Sequence, residues 1–150
     1  MEWAALITWV LTAGGGFVLL ALWLKNGGMA QSERGKIRPP LIMSHFLLAA
    51  TGLVLWIVYV ATDSDPLAWI AFVLLAIVAA LGLTMFAVWL RQRQGAAPAA
   101  GGPPAGRATA AGPGGEPAEQ RFPVAIVGLH GVLAVTTVVL VLLTAVGVGD

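Results

Sequence analysis

His45-Phe-Leu-Leu-Ala-Ala-Thr51-Gly-Leu-Val-Leu55 is the stretch on which the reading of this chain turns. It lies inside an apolar run over 41–61, and about 20 such residues are needed to cross a bilayer as a helix. It recurs, with conservative apolar exchanges, as His130-Gly-Val-Leu-Ala-Val-Thr136-Thr-Val-Val-Leu140. The shared skeleton is His-x-x-Leu-Ala-x-Thr-x-x-Val-Leu, and it contains both histidines of the protein. An ionisable ring at membrane depth costs free energy, marks a functional site and needs a partner. Each histidine is the other's first candidate.

The surrounding composition sets the class. The chain is 59% hydrophobic and 10% charged, with a mean hydropathy of +0.90. Further apolar runs of spanning length cover 3–24, 67–90 and 123–148. The expected fold is all-α: an integral membrane four-helix bundle. Residues 1–62 form a first hairpin of two helices, 63–94 carry helix 3, and 121–150 carry helix 4, which completes a second hairpin. Between them, 95–120 is mostly Ala, Gly and Pro without apolar period, and reads as a disordered linker. Met1-Glu-Trp3 lacks a basic leader and the apolar run after it is long, so the first helix reads as retained rather than as a cleaved signal. The absence of cysteine excludes disulfides, thiolate metal sites, iron–sulfur clusters and covalent haem attachment.

All eight Lys and Arg fall in the connections after helices 1 and 3. The positive-inside rule then puts loops 25–40 and 91–122 in the cytoplasm and both termini outside, in a bacterial plasma membrane. Pro39-Pro40 suits the first turn of helix 2. The short acidic connection at 62–66 demands a tight antiparallel hairpin, with Asp65 as the cap of helix 3. Trp23 and Trp89 near the basic ends, and Trp3, Trp56, Tyr59 and Trp69 near the other, read as two aromatic belts of membrane anchors.

The chain also repeats itself. Trp3 to Lys25 aligns without gaps on Trp69 to Arg91, an offset of 66, with Trp3/Trp69, Ala5/Ala71, Gly16/Gly82 and Trp23/Trp89 among the identities. The histidine segments align at an offset of 85, the longer second loop absorbing the difference. Two pseudo-symmetric hairpins running in the same direction follow, related by an axis along the membrane normal.

That symmetry brings the histidines together. His45 follows Arg38, and His130 follows Arg121, at separations that differ by roughly 3 Å of helix rise. Gly16 and Gly82 sit near the same depth and leave room for a flat ring. Ala49 lies on the His45 face, Ala134 on the His130 face, and Gly131 beside His130. Arg38 and Arg121 are placed to meet anionic groups at the inner surface. Four helices with two histidines at matched depth and glycines opposite resemble the b-type cytochromes of membranes. The resemblance implies one non-covalent haem b with His45 and His130 as axial ligands, relaying single electrons near the cytoplasmic side. Its partners would be a quinone or a redox protein in the bilayer. Many such cytochromes stack two haems on four histidines; this chain has ligands for one.

The alternative is a cofactor-free scaffold or accessory subunit, its histidines hydrogen-bonding between helices 2 and 4. A proton relay or a homo- or hetero-oligomeric site also stays open. Carboxylates are missing from the helix cores, which disfavours zinc, copper or di-iron centres. No phosphate loop, dinucleotide fingerprint or nucleophile–base set is present, so electron transfer is favoured over a stand-alone enzyme. The basic loops lack the interleaved aromatics of nucleic-acid binders. Met43 and Met85 read as core filling. Thr51 and Thr136 are expected to bond back within their own helices.

Overall fold

In the computed structural model the described residues are 1–30, 36–96 and 117–148, with backbone alone at 96. They form α1 (Glu2–Lys25), α2 (Pro39–Thr62), α3 (Asp65–Ala96), a 3-10 turn η1 (Ala118–Arg121) and α4 (Val124–Ala145). The four long helices are each long and apolar enough to cross a membrane. Their outward side chains are apolar too, Ile7, Leu47, Val54 and Val135 among them. A water-soluble monomer rarely exposes so much contiguous apolar surface.

The ends of the helices follow local chemistry. Pro39 and Pro40 occupy the first turn of α2 after an extended Arg38. α1 closes with Gly27 at φ 79, the Gly27 amide donating to Leu24 O at 3.0 Å and the Gly28 amide to Trp23 O at 2.9 Å. α4 closes the same way: Gly147 has φ 77, its amide donates to Thr144 O at 3.0 Å, and Val148 donates to Leu143 O at 2.9 Å. Both are Schellman ends, which need a left-handed residue that glycine supplies without steric cost. α2 ends instead on Asp63 with φ 50, its amide donating to Tyr59 O at 2.8 Å. α3 starts at Asp65 itself, so the cap position falls on Ser64 rather than on Asp65.

Around the bundle the order is α1, α2, α3, α4. α2 packs most extensively on α3 and α1 on α4, while the α1–α2 and α3–α4 faces are looser. α1 and α3, like α2 and α4, stand on opposite corners without backbone contact.

Two buried zones hold this arrangement. At the end carrying the 63–64 turn, Ala5, Trp9, Trp56, Tyr59, Ala71, Leu75 and Val141 form the core. There Trp9 and Trp56 lie 6.3 Å apart between ring centroids, and Trp56 Nε1 donates to Glu2 O at 3.3 Å. At the opposite end, Trp23, Ile37, Trp89, Gln92, Ala118 and Glu119 make a floor. These positions correct the anchor reading of the aromatics. Trp3 (62% exposed) and Trp69 (44%) do face outward, but Trp23, Trp56, Trp89 and Tyr59 are buried. A large side chain near a helix end gains more from closing the bundle than from lying at a headgroup when its rotation points it inward.

The expected linker is shorter than 95–120 at both edges. Residues 95 and 96 close α3, and η1 orders 118–121 against the bundle; 97–116 lie outside the described residues. Glu119 is 1% exposed, its Oε1 accepting from Lys36 N at 2.9 Å and from Gln92 Nε2 at 3.2 Å.

Candidate functional site: the histidine layer

His45 and His130 project from opposite corners of the bundle, α2 and α4, and meet with ring centroids 6.4 Å apart and planes at 60°. Each ring is held by a neighbouring helix. His45 Nδ1 donates to Val78 O of α3 at 3.0 Å, and His130 Nδ1 donates to Thr12 O of α1 at 2.9 Å. A carbonyl only accepts, so Nδ1 carries the proton in both rings, and in the neutral ring Nε2 is the lone pair. Among the described residues nothing donates to either Nε2, and neither nitrogen is fully covered by protein. The bonds thus run from α2 to α3 and from α4 to α1, not from α2 to α4 as a simple helix tie would require.

The glycines of the other two corners lie against these rings. A methyl at Gly16 would come 3.1 Å from His130 Cε1, and a methyl at Gly82 would come 3.1 Å from His45 Cε1. Gly15 also abuts His130, while Gly14 opens on empty space, so the glycine triplet is part of a continuous helix with two residues committed to the imidazole. Gly16 and Gly82 therefore make room first for the imidazole edges.

Several residues of the layer are related by the offsets of the sequence repeat. Gly16 and Gly82, and the acceptors Thr12 and Val78, are each related by the offset of 66. The buried positions of α2 and α4, Gly52/Thr137, Trp56/Val141 and Tyr59/Thr144, are related by 85. One difference is polar: Thr12 Oγ1 lies 3.2 Å from Thr137 Oγ1, where the other half has Val78 and Gly52.

The histidine layer has little buried around it. No described residue is fully buried between Trp9 and Trp23 on α1, between Ile37 and Gly52 on α2, between Val78 and Trp89 on α3, or between Glu119 and Thr137 toward α4. Protein interiors are normally close-packed. Here the fully buried residues fall in two zones, one on either side of the histidine layer.

The remaining residues singled out from sequence are scattered. Ala49 and Ala134 are half-buried in their helices. Gly131 is exposed and a methyl there would meet nothing, as at Gly128. Arg38 is exposed, and Arg121 is spent on Asn26, its Nη1 donating to Oδ1 at 3.1 Å. Thr51 and Thr136 do bond back, to Leu47 O at 2.9 Å and Val132 O at 3.0 Å. Sequence reasoning missed Thr12 and Val78, because their contribution is a backbone carbonyl and carries no side-chain signal. Among the described residues no three His, Asp or Glu side chains converge.

No protein-family model, curated protein sequence or solved structure matches this chain.

Proposed function

We propose that this chain is a multi-pass membrane protein with its basic loops in the cytoplasm and both termini outside, built from two copies of one hairpin, and that it holds one haem b between His45 and His130. The observation that carries this is the pair of imidazoles 6.4 Å apart. Two rings sharing one metal put their centroids roughly 6 Å apart, since each metal–nitrogen bond is about 2 Å. The Nδ1–carbonyl bonds support it as well, because a ligating histidine is usually oriented by its other nitrogen. The residues thus fit the group in donor type, tautomer and spacing.

When bound, the haem would supply one-electron chemistry. The chain's own part is to orient two neutral imidazoles, to keep water out at both ends through the Trp9–Trp56 and Trp23–Trp89 zones, and, among the described residues, to bring no third His, Asp or Glu beside them. Held by two protein nitrogens, the group would favour electron relay over catalysis on a bound substrate. A quinone or a redox protein would be the exchange partner.

A second reading has a specific observation behind it. Each histidine already satisfies one nitrogen on a neighbouring helix, as a cofactor-free scaffold would require. The visible spectrum of protein purified from haem-replete cells separates the two. A sharp Soret band lost in both His45→Ala and His130→Ala supports the cytochrome; a colourless folded protein overturns it in favour of the scaffold.

A further inference from the structure

The histidine layer is closed on most sides. Trp9 and Trp56, with Thr137 and Val141, cap one end; Trp23, Trp89, Gln92 and Glu119 floor the other. The α2–α3 and α1–α4 faces are closely packed. On the looser α1–α2 face, Phe17 and Phe46 meet edge to face with centroids 5.3 Å apart. They follow Gly16 and His45 directly in the chain, so this pair bridges α1 and α2 beside the layer.

The α3–α4 face differs at the matching positions. Counting by the repeat, Phe17 corresponds to Leu83 and Phe46 to Gly131. Leu83 is 66% exposed, and a methyl at Gly131 would meet nothing within 4 Å. Gly128, one turn earlier, is equally open. The aromatic pair that closes one side has lost both rings on the other.

We infer that the α3–α4 face is the lateral opening of the histidine layer, through which a flat, lipid-dissolved ligand passes between the bilayer and the two imidazoles, and that Gly131 keeps it open. This rests on the haem reading for the identity of the ligand. Lateral entry suits the apolar rims on both helices, and neither end of the layer offers a path without parting buried tryptophans.

The experiment rebuilds the lost pair. Leu83→Phe with Gly131→Phe places on α3–α4 the rings that close α1–α2. Apo-protein in phosphatidylcholine vesicles is mixed with haemin, and growth of the Soret band is followed. The double variant is expected to load roughly tenfold more slowly, the order expected when one added aromatic pair must part before entry. Phe46→Gly opens the opposite face and is expected to load at least as fast as wild type.

A second readout does not depend on haem. The chain has no cysteine, and a side chain at Gly15 meets His130 at an ordinary 3.5 Å. Gly15→Cys therefore reports on the layer through labelling by a bilayer-soluble maleimide. Slower labelling in the Leu83→Phe/Gly131→Phe background supports the opening even if haemin fails to bind. Wild type that takes up no haemin overturns the cofactor reading alone. Unchanged labelling and unchanged loading in the rebuilt variant overturn the opening.

Discussion

His130 Nδ1 donates to the carbonyl of Thr12 at 2.9 Å, which spends the ring's proton on α1 and leaves Nε2 as the nitrogen with the lone pair. The acceptor is an ordinary helical carbonyl, already used by the α-helical ladder, and it takes a second bond because a carbonyl oxygen has two lone pairs. His45 repeats the relation on Val78 of α3. Two rings oriented this way from opposite corners are held by backbone, so side-chain substitutions at Thr12 or Val78 leave the acceptors in place.

The glycines beside these rings give the sharpest contrast. Gly16→Ala and Gly82→Ala each put a methyl 3.1 Å from an imidazole carbon. Overpacking typically costs about 1–3 kcal/mol, against roughly 0.5–1 kcal/mol gained by alanine in a helix. Each is expected to lower thermal stability in detergent, and both together to lower it further. Gly14→Ala and Gly128→Ala meet nothing and are expected to be neutral or slightly stabilising. Equal behaviour of the two groups would mean that the glycines do not border the rings.

Removing a histidine separates structure from cofactor. In protein without haem, His45→Ala and His130→Ala each lose one bond between helices, about 0.6 and at most roughly 1.7 kcal/mol in comparable membrane proteins. If the proposed haem is bound, either single change is expected to shift and weaken the Soret band, because the iron loses one of its two protein ligands. A Soret band unchanged in position and height in either single variant would show that the pair does not share a metal.

Burial ranks the tryptophans in a different order from a membrane belt. Trp23→Ala, in the floor at 1% exposure, is expected to cost about 3–5 kcal/mol. Trp3→Ala, 62% exposed, is expected to change stability by no more than about 0.5 kcal/mol. Chemical or thermal unfolding of the two variants in the same detergent tests the ranking.

Glu119 is the last case. Its carboxylate joins η1 to the Lys36 amide and to Gln92 of α3. Glu119→Ala strands both donors and is expected to cost about 1–3 kcal/mol. Glu119→Gln keeps an acceptor oxygen and is expected to fall between that and wild type. Thermal unfolding in detergent reports the loss, and wild-type stability in Glu119→Ala would show that the carboxylate does not hold the turn.

Much of this was legible before any coordinates. Span lengths, the Pro39-Pro40 start and the Gly27 stop mark α1 and α2 to within about two residues, because solvent and backbone geometry act on each segment separately. Only α3 runs well past its apolar stretch, through Arg91, Gln92 and Arg93 to Ala96, since polar residues continue a helix that has already been nucleated. The match between His45 and His130 was visible as a repeated pattern in the chain.

Rotation was not visible. A helix that is apolar on every side carries no hydrophobic stripe to say which face turns inward. The sequence alone therefore determined four apolar spans, their pairing into duplicated hairpins as an expectation, and two histidines at one depth. The tertiary structure decided that Trp23, Trp56 and Trp89 pack inward, that Gly16 and Gly82 border imidazole while Gly131 borders nothing, and that both rings are aimed by carbonyls of neighbouring helices. Those outcomes depend on which side chains interdigitate across the bundle, a property of pairs of helices that no single segment encodes.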